Sequence, residues 1–294
     1  MHAQRVPLWP VGLLMVSMMS IQGGASLAKQ LFPMVGASGA TACRLIAGAL
    51  LLLLVLRPWR KRPSARDWKL LTVYGVSLGV MNYLLYQSID RIPLGIAVAL
   101  EFTGPLAVAT LKSHRAVDLL WVALALGGIV LLMPHDSLNG SLDPLGVAFA
   151  LGAGACWGIY IWFGQKVGTD FGAEGVAIGV TIAALVIAPI GLAQSGFEGF
   201  SWSIVPLVAM VALLSTALPY ALEIVALRHL PTTMFGTLMS LEPALAALSG
   251  LLFLAEFLTL VQWLAISAIM AASIGTTLTG RSRNKSWESA PVPD

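Results

Sequence analysis

Charge is scarce in this chain. Asp, Glu, Lys and Arg make up 11% of its 294 residues, against about a quarter in a soluble domain. So few ionic groups cannot cover a water-facing surface. Cysteine is nearly absent as well: Cys43 and Cys156, both inside apolar runs, exclude a disulfide framework and a four-ligand zinc site. The four histidines are scattered, so neither metal nor redox chemistry is expected and no cofactor is implied. The patterns GxxxxGK[ST] and HExxH do not occur, which removes a nucleotide-driven pump within the chain and a zinc protease. His114, His135 and His229 lie in or beside loops with no serine at matched depth, so an intramembrane enzyme is not expected.

Apolar sequence is what fills the chain. Hydrophobic residues make up 57% of it, and its mean hydropathy is +0.85. Runs of 18 to 23 residues recur at 10–31, 37–56, 70–88, 94–111, 117–134, 145–165, 175–194, 204–226, 233–254 and 260–279. Each is long enough to cross a hydrocarbon core of about 30 Å as a helix. None alternates apolar with polar residues as barrel strands do. The expected fold class is therefore an all-α integral membrane protein with ten transmembrane helices, the lipid bilayer being its main partner. The first run is read as a span and not as a cleaved signal peptide, because it is long and further spans follow.

The seventeen cations set an orientation. With the N-terminus inside, Arg5, the six of the loop from Arg57 to Lys69, Lys112, Arg115, Lys166, Arg228, Arg281, Arg283 and Lys285 all fall on the inner side, fourteen in all. Lys29 and Arg91 fall outside and Arg44 lies within a span. That bias places both termini in the cytoplasm. The loop "RPWRKRPSARDWK" reads as an orientation signal that also attracts anionic lipid, and no nucleic-acid partner is expected, since the cations do not interleave with exposed aromatics.

The chain also repeats itself. "YLLYQSIDRIPLG" from Tyr83 lines up with "ALEIVALRHLPTT" from Ala221, setting Pro93 over Pro231 and then Pro105 over Pro243, both at an offset of 138. Five spans separate corresponding points. An odd number reverses orientation, so the expected organisation is two inverted five-helix repeats, 10–134 and 145–279, between a cytoplasmic N-terminus 1–9 and a disordered cytoplasmic tail 280–294.

Within this apolar frame two carboxylates stand out. An acidic side chain at the centre of a spanning helix costs about 2.5–3.5 kcal/mol and must face a partner or a wet cavity. Glu101 sits in "GIAVALEFTGPLAVA", four residues before Pro105, and Glu242 sits one residue before Pro243. Both prolines are candidate helix breaks. Both glutamates are candidates for proton or substrate binding; the alternative makes each a structural partner of a donor such as Arg44. Helical spacing adds candidate cavity walls: Gln22, Ser26 and Lys29 on one face, Gly75, Gly79, Asn82 and Tyr86 on another, Thr216, Tyr220 and Glu223 on a third, with Arg44, Trp157 and Tyr160 beside them. Gly75 and Gly79 read equally as a small-residue packing face, and hydroxyl and amide groups as bonds between helices.

The blocks "SIQGGASLAK", "YGVSLGVMNYLLYQSI", "PLGIAVALEFTGPLAVA", "ALGAGACW", "STALPYALE" and "FGTLMSLEPALAALSG" resemble the bacterial threonine and homoserine exporters of the drug/metabolite transporter superfamily, of EamA type. The resemblance extends from about residue 10 to 280. It implies ten helices in two homologous halves in the inner membrane, and export of small amino acids such as L-threonine, L-homoserine and analogues. It transfers no set of functional residues. Combined with the buried carboxylates it implies proton antiport, with the amino acid and protons as partners and Glu101 as the preferred proton carrier. Export of another metabolite or drug by the same architecture, and facilitated diffusion without protons, are the alternatives that the residues leave open.

Overall fold

Prolines and glycines set where the helices begin and bend. In the computed structural model, which describes residues 8–61, 63–111, 116–132, 142–195, 201–230 and 232–288, α1 (Trp9–Lys29) and α2 (Phe32–Leu56) each carry a proline in the first turn, where its absent N–H is not needed. The turn Gln30–Leu31 joins them, and Gly36 bends α2 with a left-handed φ of 68°. Next comes α3 (Ala65–Ile89), which opens on a capping box between Ser64 and Asp67. The chain continues as α4 (Leu94–Glu101), α5 (Thr103–Leu111) and α6 (Ala116–Leu132). A 52-residue run, α7 (Pro144–Ser195), follows; Gly172, at φ 60° and ψ −139°, divides it into two limbs.

The remainder is α8 (Val205–Ala212), a π-helical turn Leu213–Ala217, α9 (Leu218–His229), α10 (Thr232–Met239), α11 (Glu242–Leu254) and α12 (Leu260–Glu288). No strand occurs among the described residues. α12 continues past 279 to Glu288, where the sequence led us to expect a disordered tail. Arg5, Arg62, Lys112, Arg115, Pro231 and residues 289–294 lie outside the described residues.

Two helices break at their middles, and the breaks obey one rule. Pro105 cannot donate to the carbonyl four residues back, and α4 ends at that residue, Glu101. Pro243 cannot donate to Met239, and α10 ends at Met239. The interruptions thus fall at Phe102 and at Ser240–Leu241, a few residues before each proline, with the proline in the first turn of the next segment.

All eight residues of α4 are buried, and the core collects around it. It crosses α11 so closely that a Cβ on Gly95 would lie 2.5 Å from Ala247 Cβ. Below the break, Gly104 and Gly154 bring α5 and α7 into backbone contact, and a Cβ on Gly154 would lie 2.7 Å from the Glu101 carbonyl oxygen. Only glycine permits either approach. On the periphery α3 and α2 pack on α7, α6 packs on α12, and α1 packs on α9 and α11.

The exterior is apolar. Five described segments are long and apolar enough to cross a membrane: Trp9–Lys29, Phe32–Leu56, Pro144–Ser195, Met234–Leu254 and Leu260–Leu278. Shorter apolar helical stretches lie at Leu94–Val108, Leu119–Leu132 and Trp202–Ala217. Leu54, Leu119 and Leu252 are each at least 70% exposed. Exposed large apolar side chains recur along these helices, as a lipid-facing surface requires. Polar contacts gather at the helix ends, as where Arg91 pairs with Asp143 at 3.0 Å; the Leu145 amide, and then Arg91, hold the Asp143 carboxyl below its ordinary value.

Candidate functional site

The two broken helices meet at a central cavity of about 300 Å3, the lower end of the range of about 300–1,000 Å3 for small-molecule sites. Its walls come from nine parts of the chain. They include Gln22 of α1, Arg44 of α2, Asn82 and Tyr86 of α3, Glu101 of α4, Trp157 and Tyr160 of α7, Thr216 of the π turn, Glu223 of α9, Met239 of α10 and Glu242 of α11. Both central carboxylates are buried, and each stands beside its helix break.

The two glutamates are held differently. Glu242 Oε1 accepts from Gln22 Nε2 at 3.0 Å. Glu101 makes neither a side-chain hydrogen bond nor an ion pair among the described residues; the ion pairs Lys29–Glu256 and Arg91–Asp143 lie elsewhere. The helix poles differ too: Glu101 closes α4, at its negative end, and Glu242 opens α11, at its positive end. Arg44 does not pair with either. It donates to Asn82 Oδ1 and lies over the Tyr86 ring at 5.1 Å. Arg44 Nε and Tyr86 Oη are buried without a hydrogen-bond partner. Orphaned buried donors are rare in native proteins and costly, and these two belong to residues that line one cavity.

Further contacts shape the walls. Glu223 Oε1 accepts from Ser17 Oγ at 2.8 Å. Trp157 meets Phe102 edge to face at 4.9 Å, and Tyr160 stacks on Tyr74 at 4.7 Å. The π turn that carries Thr216 was not foreseen. Its signal was Pro219, which cannot donate to Ser215 and so shifts the hydrogen-bond register; Ser20 Oγ donates to the Leu214 carbonyl there at 2.6 Å.

Of the candidates from the sequence, Ser26, Lys29, Gly75 and Gly79 lie outside the cavity lining. Lys29, expected in the cavity wall, is outside it and binds Glu256 at 2.6 Å. Glu256, which the sequence reading passed over, also accepts from the Leu94 amide at 2.8 Å, at the start of α4. Lys29 is the last rung of a ladder between α1 and α11: Gln22 to Glu242, Ser26 to Ser249 at 2.9 Å, then Lys29 to Glu256. Gly75 and Gly79 serve packing, facing Ile182 and Ala183 of α7. They bracket a GxSxG pattern, Gly75 to Gly79, but Ser77 lies within α3 and donates to the Tyr74 carbonyl at 2.9 Å, so no strand-to-helix nucleophile elbow exists there. The Tyr220 side chain lies outside the described residues.

A helical membrane protein whose broken helices carry buried carboxylates to one central cavity is, by class, a membrane transporter. The chain belongs to the EamA-like transporter family, whose model matches residues 144–278. It is 56% identical over 283 residues to the threonine/homoserine exporter RhtA of Escherichia coli (strain K12), covering 96% of each chain. It is 55% identical over 279 residues to the threonine/homoserine exporter RhtA of Salmonella typhimurium (strain LT2), covering 95% of each. An uncharacterized transporter of Bacillus subtilis (strain 168), YwfM, is 29% identical over 239 residues, 77% of this chain and 79% of that one. A solved crystal structure at 18% identity, covering 93% of this chain and 99% of its own, superposes with a TM-score of 0.58 and shares the fold. These relatives are transporters, and the chain is not an enzyme.

Proposed function

We propose that this protein exports small amino acids, L-threonine, L-homoserine and analogues, across the inner membrane in exchange for protons. One observation carries the reading: the cavity holds a guanidinium with an orphaned Nε and two buried carboxylates, with no ion pair among them. A zwitterion entering a low-dielectric site needs both charges compensated, since an unpaired ion costs several kcal/mol. The amino acid's carboxylate meets Arg44, with Tyr86 Oη beside it. Its ammonium meets Glu242, which Gln22 already orients. Glu101 is free to carry the proton that returns as the amino acid leaves. The names of the 55–56% identical relatives support an amino-acid cargo.

Alternating access follows from the layout we assign: ten spanning helices in two inverted repeats, 10–134 and 145–279, with both termini in the cytoplasm. Its support is the recurrence of the broken helix at the offset of 138, Phe102 against Ser240, together with the cation bias. Under that offset Met239 is the mate of Glu101, and Gly104 the mate of Glu242. The two carboxylates are therefore not symmetry equivalents, which fits two different tasks.

Threonine efflux from loaded proteoliposomes tests the reading. An imposed proton gradient is expected to drive uphill efflux by the wild type, and Glu101→Gln is expected to abolish the pH dependence. Full, still pH-dependent transport by that variant removes Glu101 from the proton role. Efflux indifferent to the gradient replaces antiport by facilitated diffusion, and a sugar, nucleotide precursor or cationic drug that outcompetes threonine replaces the cargo.

A further inference from the structure

Away from the central cavity, two recesses on the exterior of α5 and α7 meet at Trp162 and Phe163, which line both. The first, about 690 Å3, lies between the start of α3 and the end of the first limb of α7 and carries Arg66, Lys69 and Lys166. The second, about 400 Å3, runs between α5 and α7 over Gly104, Ala155 and Ile159, and the Trp162 indole is its one polar lining side chain. Trp162 is 54% exposed, and Trp59 and Trp68 are exposed at the same end of the bundle. Exposed indoles at one end of a membrane bundle mark the headgroup level. The basic recess therefore lies at headgroup depth, and the apolar groove extends from it to acyl-chain depth in the same leaflet.

Two carboxylates, Asp67 and Asp170, also border the recess. Asp67 is committed to the start of α3, its Oδ2 accepting from the Ser64 amide at 2.8 Å and hydroxyl at 2.7 Å. Its carboxyl is held below its ordinary value, by those Ser64 bonds first and then by the field of Lys166 and Arg66. The recess is thus net positive, with one of its two acids already satisfied. A small soluble anion would leave the groove unfilled, and an uncharged lipid would leave the cations unpaired.

We propose that this composite site holds one anionic phospholipid, its headgroup phosphate on Arg66, Lys69 and Lys166 and one acyl chain in the groove between α5 and α7. The groove floor is the Gly104–Gly154 contact that abuts the Glu101 carbonyl, so the chain lies behind the broken helix and its occupancy bears on α5. The site rests on the membrane fold alone and not on any assignment of cargo or protons.

Native mass spectrometry of the purified full chain in detergent tests it, with phosphatidylglycerol as the probe, phosphatidylcholine as the zwitterionic control and sn-glycerol 3-phosphate as a competitor. The wild type is expected to retain one phosphatidylglycerol at least about tenfold more tightly than phosphatidylcholine. The triple variant Arg66→Gln, Lys69→Gln, Lys166→Gln is expected to weaken that binding about a hundredfold, as the loss of three surface cations implies. Ala155→Phe, at an exposed wall position, is expected to weaken it comparably while the protein stays monodisperse with an unchanged thermal midpoint; Ala107→Leu on the facing helix is the second filling variant should the first fold poorly. Undiminished binding in the triple variant or in a folded filling variant, equal retention of the two lipids, or displacement by glycerol 3-phosphate at equal concentration would each overturn the proposal.

Discussion

The Gln22 side-chain amide donates to the Glu242 carboxylate at 3.0 Å across 220 residues of sequence, and both groups are buried. It is the innermost rung of the α1–α11 ladder and the hydrogen bond that holds Glu242. An intramolecular hydrogen bond contributes about 0.5–1.5 kcal/mol net, and leaving a buried partner unpaired costs about 1–3 kcal/mol. Gln22→Leu, Glu242→Ala and the double variant therefore form a cycle with an expected coupling of about 1–3 kcal/mol, read from thermal unfolding in micelles. A coupling near zero would show that the bond does not fasten α1 to α11.

At the far end of the ladder the grip is looser. Lys29 and Glu256 keep 25% and 13% of their side-chain surface exposed, and a partly exposed pair contributes about 1 kcal/mol or less. Such a latch is suited to open and close. Because Glu256 also caps α4 through the Leu94 amide, Lys29→Met is expected to free that end of the seam. A cysteine placed at Ser26, with Cys43 and Cys156 replaced, should then react with an impermeant maleimide at least about threefold faster, on the order of the factor that 1 kcal/mol implies. The exchanged pair Lys29→Glu with Glu256→Lys should restore protection only in part, since a lysine cannot accept from the amide. Equal labelling rates in wild type and Lys29→Met would refute the latch.

The parts of this architecture that were legible in the sequence share a physical cause, which is the cost of polarity in lipid. Glu101 and Glu242 stand out because nothing else in their runs is charged, Arg44 because it is a cation within a span, and Gln22 and Asn82 because a helical period gathers them with other candidates on faces. The prolines announced the breaks for the same local reason, a lost donor four residues on. What stayed hidden depends on pairing between distant segments. Lys29 sits on the same stripe as Gln22, but whether that stripe ends in a cavity or on Glu256 is decided by how α1 tilts against α11. Glu256 looks like an ordinary charge at the end of an apolar run until the start of α4 is brought to it. Pro219 carried the signal for the π turn, yet a proline alone does not say whether a helix will break, kink or widen. The Gly104–Gly154 approach is likewise invisible from either helix alone, because glycine marks many contacts and names none.

Tyr86 offers a clean separation of stability from recognition. Tyr86 lines the cavity and its hydroxyl is buried with no hydrogen-bond partner, while its ring lies under Arg44 and meets Phe32 at 5.8 Å. Removing an unpaired buried hydroxyl takes away no internal bond, so Tyr86→Phe is expected to leave folding stability unchanged or slightly raised. The ring contacts with Arg44 and Phe32 persist in the variant. If the hydroxyl donates to the bound amino acid's carboxylate beside Arg44, its loss forfeits a charge-assisted bond of about 1.5 kcal/mol, which corresponds to a rise of about tenfold in the KM for threonine efflux. The signature is thus a thermal midpoint at or above that of the wild type together with a raised KM. An unaltered KM would take Tyr86 out of the substrate site and leave Arg44 to hold the carboxylate without it.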